Sequence, residues 1–231
     1  MKYHMKPLIP IVLAATLTLS LAACSGFGKQ LDVVGKESIT SFDAVLTAVP
    51  ENVAVDEANG GWALTFPDDS VKFIWSRDYS KSPLHDVMLE FDAQPFLDAG
   101  LDPSKLPESI AYYDGGFMVG TKLGNDELKY TGEATPLSSY EQIVNLYRDS
   151  IGYHAALDHY GVSLGDGNLF EWAKDMSTND KDIVFVLNPE PWIAAGADPD
   201  NIDGWTFAKV TVDVGGVPTE VDKILKPFDL K

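Results

Sequence analysis

The chain has 231 residues, 17 basic and 35 acidic side chains and a formal net charge of −18 at pH 7. Such an acidic surface repels polyanions, which excludes nucleic acid from the expected partners. Cys24 is the single cysteine, so neither an intrachain disulfide nor a cysteine-based zinc site can form.

The first 23 residues are predicted to be an export signal. Lys2 and Lys6 provide a positive start, and residues 8–23 form an apolar run that is short for a membrane span. The run ends in Leu21-Ala22-Ala23-Cys24, which resembles the lipobox of bacterial lipoproteins. The resemblance implies cleavage before Cys24, thioether lipidation of its sulfur and acylation of its new amino group, with palmitate among the acyl chains. The alternatives are an ordinary cleavable signal with an incidental cysteine, or an uncleaved anchor.

Lipidation would place the protein in the cell envelope, anchored on the outside of the cytoplasmic membrane or in the outer membrane. Residues 24–37 contain Gly26, Gly28 and Gly35 and are predicted to form a short tether. Without Lys2 and Lys6 the mature chain has 15 basic and 35 acidic side chains, a net charge of −20. This charge favours cationic ligands, basic partners or plain solubility.

One stretch of sequence occurs twice, in residues 86–103 and 182–199, at a constant offset of 96 residues. The identical pairs are Asp86/Asp182, Pro95/Pro191, Ala99/Ala195, Gly100/Gly196, Asp102/Asp198 and Pro103/Pro199. A repeat of this length predicts a duplicated domain, with copies at residues 38–130 and 134–231.

Each copy is predicted to contain a helix, a hairpin, a third strand, a short helix and a fourth strand. In the first copy these are residues 40–49, 62–66 with 71–75, 86–91, 92–100 and 110–123. In the second copy the helix is predicted to run to Gly161, Trp172 occupies the place of Trp75, and residues 218–226 form a closing helix. The offset between equivalent residues falls along the chain, from 98 at Trp62/Tyr160 to 96 at Asp86/Asp182. This indicates two single-residue deletions near loops.

The predicted fold class is α+β, with two tandem copies of a helix-on-antiparallel-sheet domain. This arrangement is similar to that of exported proteins such as the β-lactamase inhibitory proteins, and the likeness implies architecture alone. Residues kept in both copies are expected to serve the fold. They are the pairs Trp75/Trp172, Phe96/Trp192 and Trp62/Tyr160 as core, and Gly100/Gly196 as left-handed helix stops.

The candidate metal ligands all lie in the second copy of the repeat. His154 and Asp158 share a face of the predicted helix, whereas His159 turns about 100° away from Asp158. The loop with Asp198, Asp200 and Asp203 suggests calcium, but its spacing departs from the EF-hand pattern. These residues are weak candidates, and we expect neither a metal site nor a cofactor.

Two functions are compatible with the sequence, which contains no recognised catalytic signature. The first is a membrane-anchored envelope lipoprotein, a non-enzymatic binding or scaffolding module for an envelope protein, a peptide or a cationic ligand. The alternative is an envelope hydrolase with an unrecognised site. In both cases the expected site is the groove between the two lobes.

Cys24→Ala is expected to leave an unprocessed precursor and to abolish labelling with radioactive or clickable fatty acid, because the acceptor sulfur is lost. Intact mass of the wild-type protein is the direct measurement. A wild-type N-terminus at another residue, without acyl mass, would contradict the lipidation.

Overall fold

A computed structural model describes residues 14–16, 27–66, 69–77, 79, 85–113, 115–123, 134–154, 157–176, 181–214 and 217–230. Its helices are α1 (Phe27–Ala48), α2 (Gln94–Asp98), α3 (Pro136–Leu146) and α4 (Glu190–Ala194). Four single 3-10 turns lie at Pro50–Asn52, Pro103–Lys105, Arg148–Ser150 and Pro199–Asn201. No helix in the described part of the chain is long and apolar enough to cross a membrane.

The strands form two antiparallel sheets with the same strand order. The first sheet contains β2 (Val53–Asp56), β3 (Gly61–Thr65), β4 (Val71–Ser76), β5 (Val87–Asp92), β6 (Ile110–Tyr113) and β7 (Gly116–Thr121), in the order β2-β3-β4-β5-β7-β6. The second contains β8 (Ile151–His154), β9 (His159–Ser163), β10 (Leu169–Ala173), β11 (Ile183–Leu187), β12 (Thr206–Val214) and β13 (Val217–Phe228), in the order β8-β9-β10-β11-β13-β12. A further short strand, β1 (Ala14–Thr16), joins β12 in parallel. The predicted α+β class, with two similar sheet units, is confirmed.

Strand register follows the sequence offsets. The equivalent rows are Trp62-Trp75-Val87 in the first sheet and Tyr160-Trp172-Ile183 in the second. These three pairs lie 98, 97 and 96 residues apart, so each single-residue difference falls in a connection between strands. Trp75 and Trp172 therefore occupy the same place in the two sheets, and both are buried as predicted.

The predicted long helix of the second copy is wrong. Helix α3 begins with Pro136 behind a Thr135–Ser138 capping box and ends at Leu146, and β8 and β9 follow. The core side of these strands carries alternating apolar residues, Ile151 and Tyr153 in β8 and Tyr160 and Val162 in β9. The sequence nevertheless predicts a helix here, because Ile143, Tyr147 and Ile151 are each four residues apart, which is a helical spacing. Residues 218–226 are likewise strand rather than helix.

Most of the predicted tether belongs to the fold, because α1 begins at Phe27. Gly35, which suggested flexibility, lies where α1 meets α3. A Cβ atom at this position would be 2.7 Å from Cγ1 of Val144. This glycine therefore permits a close helix contact instead of a flexible linker.

A single aromatic core joins the two halves. The ring of Phe42 lies 5.5 Å from Trp75, 4.3 Å from Tyr140 and 5.1 Å from Trp172, centroid to centroid. Phe73 of the first sheet stacks on Phe170 of the second at 4.1 Å and 7°. The two sheets therefore pack against each other directly.

Each long helix makes hydrogen bonds to the other half. Nε1 of Trp172 donates to Oγ of Ser41 on α1 at 2.8 Å. Nε1 of Trp62 donates to Oγ of Ser139 on α3 at 3.1 Å, and Nε1 of Trp75 donates to the Pro136 carbonyl at 3.0 Å. These contacts cross between the halves, where the sequence predicted each helix over its own sheet.

The most strongly repeated motif makes a reciprocal contact. The amide of Asp102 donates to the Ala195 carbonyl at 2.9 Å, and the amide of Asp198 donates to the Ala99 carbonyl at 2.8 Å. Gly100 and Gly196 have φ of 95° and 106°, as predicted for left-handed helix stops. A side chain on either glycine would approach the other's carbonyl oxygen at 3.3 or 3.1 Å. Each copy of the motif is therefore the binding partner of the other copy.

Trp172→Ala is expected to lower the free energy of unfolding by about 3–5 kcal/mol, because it removes a large buried side chain and leaves a cavity. It also leaves Ser41 without its donor. Urea unfolding followed by circular dichroism measures the change. The exposed Tyr112→Ala is the matched aromatic control, and equal effects of the two variants would refute the core assignment.

Candidate functional site

The candidate site is the outer face of the second sheet, which points away from the aromatic core. Leu169, Val184, Val186, Val210 and Leu225 form a separate buried apolar cluster there. Strand alternation produces the face, because neighbours such as Phe170 and Phe185 point into the core. The second sheet is thus apolar on both sides.

A buried polar pair lies on the same face. Nδ1 of His154 is 3.2 and 3.4 Å from the two carboxylate oxygens of Glu171. The exposed fractions of the two residues are 5% and 4%. Gly161 lies on the strand between them, and a Cβ atom there would be 3.1 Å from Cγ of Glu171. The absence of a side chain at Gly161 gives Glu171 room to reach across β9 to His154.

Two further basic groups border this pair. His159 is the cross-strand neighbour of His154 and is buried. Burial lowers the pKa of Lys223, an effect opposed by the negative charges of Glu171 and Glu190. Nε2 of His154 is buried and has no hydrogen-bond partner in the described part of the chain. The face therefore combines an apolar floor with a polar group that is able to accept or donate one more hydrogen bond.

Strand β1 lies between the two edge strands of the second sheet, β12 and β8. Ala14, Ala15 and Thr16 pair in parallel with residues 211–213 of β12. The same short strand also contacts β8, at the opposite edge of the sheet. The second sheet consequently curves around its outer face, with β1 between its two edge strands.

The β12–β13 hairpin distinguishes the second half from the first. Nine residue pairs connect β12 with β13, whereas four connect β6 with β7. Only residues 224–228 of β13 also pair with β11, so the rest of the hairpin extends past the sheet as an arm. The arm lengthens the edge on which β1 lies.

The structure does not bring the weak metal candidates together. His154 ends β8, and Asp158 lies in the turn before β9 with φ of 53°, so they share no helix face. The oxygens of Asp198 accept from the amide of Asp200 and from Nδ2 of Asn201. Asp203 is exposed in the following turn. Within the described residues, no three His, Cys, Asp or Glu side chains form a group suited to a metal ion.

Sequence reasoning missed Glu171. Apolar and polar side chains alternate in residues 170–172, a pattern typical of a sheet with one covered face, which would leave Glu171 in solvent. The structure buries it against His154, which lies on a different strand. The sequence contains Gly161, which leaves room for this contact, but it does not indicate which strands are adjacent.

At the junction of the two halves, where a groove is predicted, aromatic rings from both halves are in contact. Phe96 and Trp192, one from each half, lie 4.7 Å apart, and Phe91 lies 5.6 Å from Trp192. A small pocket at the junction is lined by Ser109, Ile110, Val119, Gly120, Asp166, Asn168 and Pro191. Comparison with family models, curated proteins and solved structures found no match for this chain.

Glu37 fastens α1 to the sheet that carries the site. Its carboxylate accepts from the hydroxyl of Tyr160 and lies 3.1 Å from Nζ of Lys174. The hydrogen bond from Tyr160, followed by that from Lys174, lowers the pKa of Glu37 below its ordinary value of 4.5. The ionised carboxylate therefore stabilises the folded state.

Glu37→Gln is expected to destabilise the protein near neutral pH, and the difference from wild type should shrink in acid. A lowered folded-state pKa means that the stabilisation is complete above pH 4.5 and is lost as pH falls through the folded value. Urea unfolding at a series of pH values measures it. Glu51→Gln, at an exposed glutamate of the first half, is the control. A constant difference between wild type and Glu37→Gln across this range would contradict the assigned role.

Proposed function

We propose that the mature protein is a lipid-anchored envelope module that binds or scaffolds a partner and has no catalytic activity of its own. It is held to the membrane through Cys24, on the outside of the cytoplasmic membrane or in the outer membrane. Its partner is an envelope protein, a peptide or a cationic ligand. The supporting observations concern the anchor, the repeated halves and the space between them.

The anchor is supported by the lipobox at Leu21-Ala22-Ala23-Cys24 and by the start of α1. Two residues, Ser25 and Gly26, separate Cys24 from Phe27. The folded part would therefore lie close to the membrane surface, because the connection is too short to act as a long linker. Because a mature net charge of −20 would be repelled by anionic headgroups, the lipid and not charge attraction would hold the protein at the membrane.

We also propose that the two halves are duplicated copies of one helix-on-sheet unit. Identical strand order and equivalent positions for Trp75 and Trp172 support this. The reciprocal hydrogen bonds at Ala99 and Ala195 support it further, because such contacts are typical of a two-fold interface between identical subunits. In this proposal the chain is a fused dimer whose helices cross to the opposite sheet.

The observation that carries the non-enzymatic proposal is the stacking of Phe73 on Phe170 at 4.1 Å. Together with Phe42 and Trp192, these rings belong to one buried cluster that joins the halves, and the hydrolase alternative would need an open groove between them. The hydrolase is kept as the second candidate because of one observation. The His154–Glu171 pair has the composition of a general base with an orienting carboxylate.

Charge is the proposed means of recognition. Exposed carboxylates attract a cationic partner over long range, and such attraction is screened beyond about 8 Å at physiological ionic strength. The partner is accordingly expected to carry basic groups around its contact surface.

Partner capture from envelope extracts is expected to weaken sharply when salt rises from low to physiological concentration. Pull-down with the purified protein at the two salt concentrations, followed by mass spectrometry, measures this. A hydrolase screen of wild type, His154→Gln and Glu171→Gln runs in parallel. Turnover in wild type that is lost in both variants, with unchanged folding, would overturn the non-enzymatic proposal.

A further inference from the structure

We infer that the edge of β12, together with the outer face of the second sheet, accepts an extended apolar segment of a partner protein. In the precursor, β1 occupies this acceptor. The inference rests on the proposed cleavage before Cys24, since β1 belongs to the segment that cleavage removes. It identifies a place and a chemistry for the partner of the proposed binding module.

The backbone of β12 provides the first part of the acceptor. Its neighbours among the described strands are β13 and β1. Release of β1 would leave the side of residues 211–213 that faces away from β13 without a paired strand. An open edge of this kind binds extended polypeptide by continuing the sheet.

The apolar face provides the second part. Val210 immediately precedes residues 211–213, which pair with β1. It is 2% exposed and pairs with Val221 of β13. Leu225 and Val186 continue the apolar surface across β13 and β11. A strand in place of β1 would direct alternate side chains toward this surface. Small or medium apolar residues at every second position are therefore the expected signature of the partner segment.

We expect a polypeptide as the occupant, because β1, which lies on this edge in the structure, is itself a polypeptide strand. β1 is an Ala-Ala-Thr strand that pairs residue by residue with β12. An acyl chain would fill the apolar face but could not satisfy the edge amides and carbonyls. The arm of β12 and β13, which has no counterpart among the described strands of the first half, extends this edge beyond the sheet.

The test uses the full chain with Cys24→Ala and a protease recognition sequence inserted after Ala23. Cleavage in vitro, followed by gel filtration, releases residues 1–23 from the folded protein. The probe is a fluorescein-labelled peptide of residues 9–20 with a lysine tail for solubility. Its Ala15→Pro form is the control peptide, because proline cannot complete the pairing. Fluorescence anisotropy measures binding before and after cleavage.

We expect saturable binding after cleavage, with affinity about tenfold weaker before cleavage and for the proline peptide. Val221→Lys places a charge beside the acceptor and is expected to weaken binding about tenfold, the effect of a 1.4 kcal/mol loss. Val55→Lys on an edge strand of the first sheet is the matched control and should bind like the parent. Circular dichroism of both variants verifies the fold.

Equal binding before and after cleavage, or no binding after it, would overturn the inference. Binding of cis-parinaric acid in place of the peptide would also overturn it, in favour of a lipid site. The proposed anchor is tested separately by the intact mass of wild-type protein from cells. Peptide binding to the protease-released chain, with an unprocessed wild type, would support the acceptor and refute the anchor.

Discussion

The contact of Phe42 with Trp75 and Trp172 is the interaction on which the structure depends. Phe42 lies on α1, and the two tryptophans lie on β4 and β10 of different sheets. Burying these aromatic rings removes a large apolar area from water, and packing of this kind dominates folding energetics. Neither half can bury its own aromatic face alone, since its covering surface includes residues of the other half. The two sheets are therefore expected to unfold together.

Equivalence of the halves explains what they share, and their differences indicate where function lies. The shared Ala-Gly-x-Asp-Pro motif forms the reciprocal contact at residues 99–102 and 195–198, where each copy requires the other. Asp86 and Asp182 also have one role in common. The carboxylate of Asp86 accepts a hydrogen bond from the backbone amide of Leu123, and that of Asp182 accepts one from the backbone amide of Leu230. By contrast, the His154–Glu171 pair and the long β12–β13 hairpin have no counterpart among the described residues of the first half. The proposed acceptor includes the edge strand of this hairpin.

Much of the fold could be predicted from local sequence. Glycine after a short helix predicted the left-handed residues Gly100 and Gly196, because their backbone conformation is a local property. Strand alternation predicted β4, β5, β10 and β11 for the same reason. Predictions failed in residues 147–161, where apolar residues fit both the helical period and the strand period. They also failed at Gly35, because a glycine is found both in flexible linkers and at close helix contacts. In both places the choice depended on which distant residue packed against the segment.

The sequence by itself determined the export signal prediction, the acidic charge, the repeat and the residues that terminate helices. Tertiary structure alone decided that α1 and α3 hydrogen-bond across the halves, that aromatic rings of the two halves pack together and that Glu171 is buried beside His154. The physical reason is that the local pattern specifies which faces are apolar but not which faces meet. In a protein made of two similar halves, each apolar face fits either sheet equally well by composition. The shape of the packed side chains and the strand register then determine which sheet each face packs against, and both arise only in the folded chain.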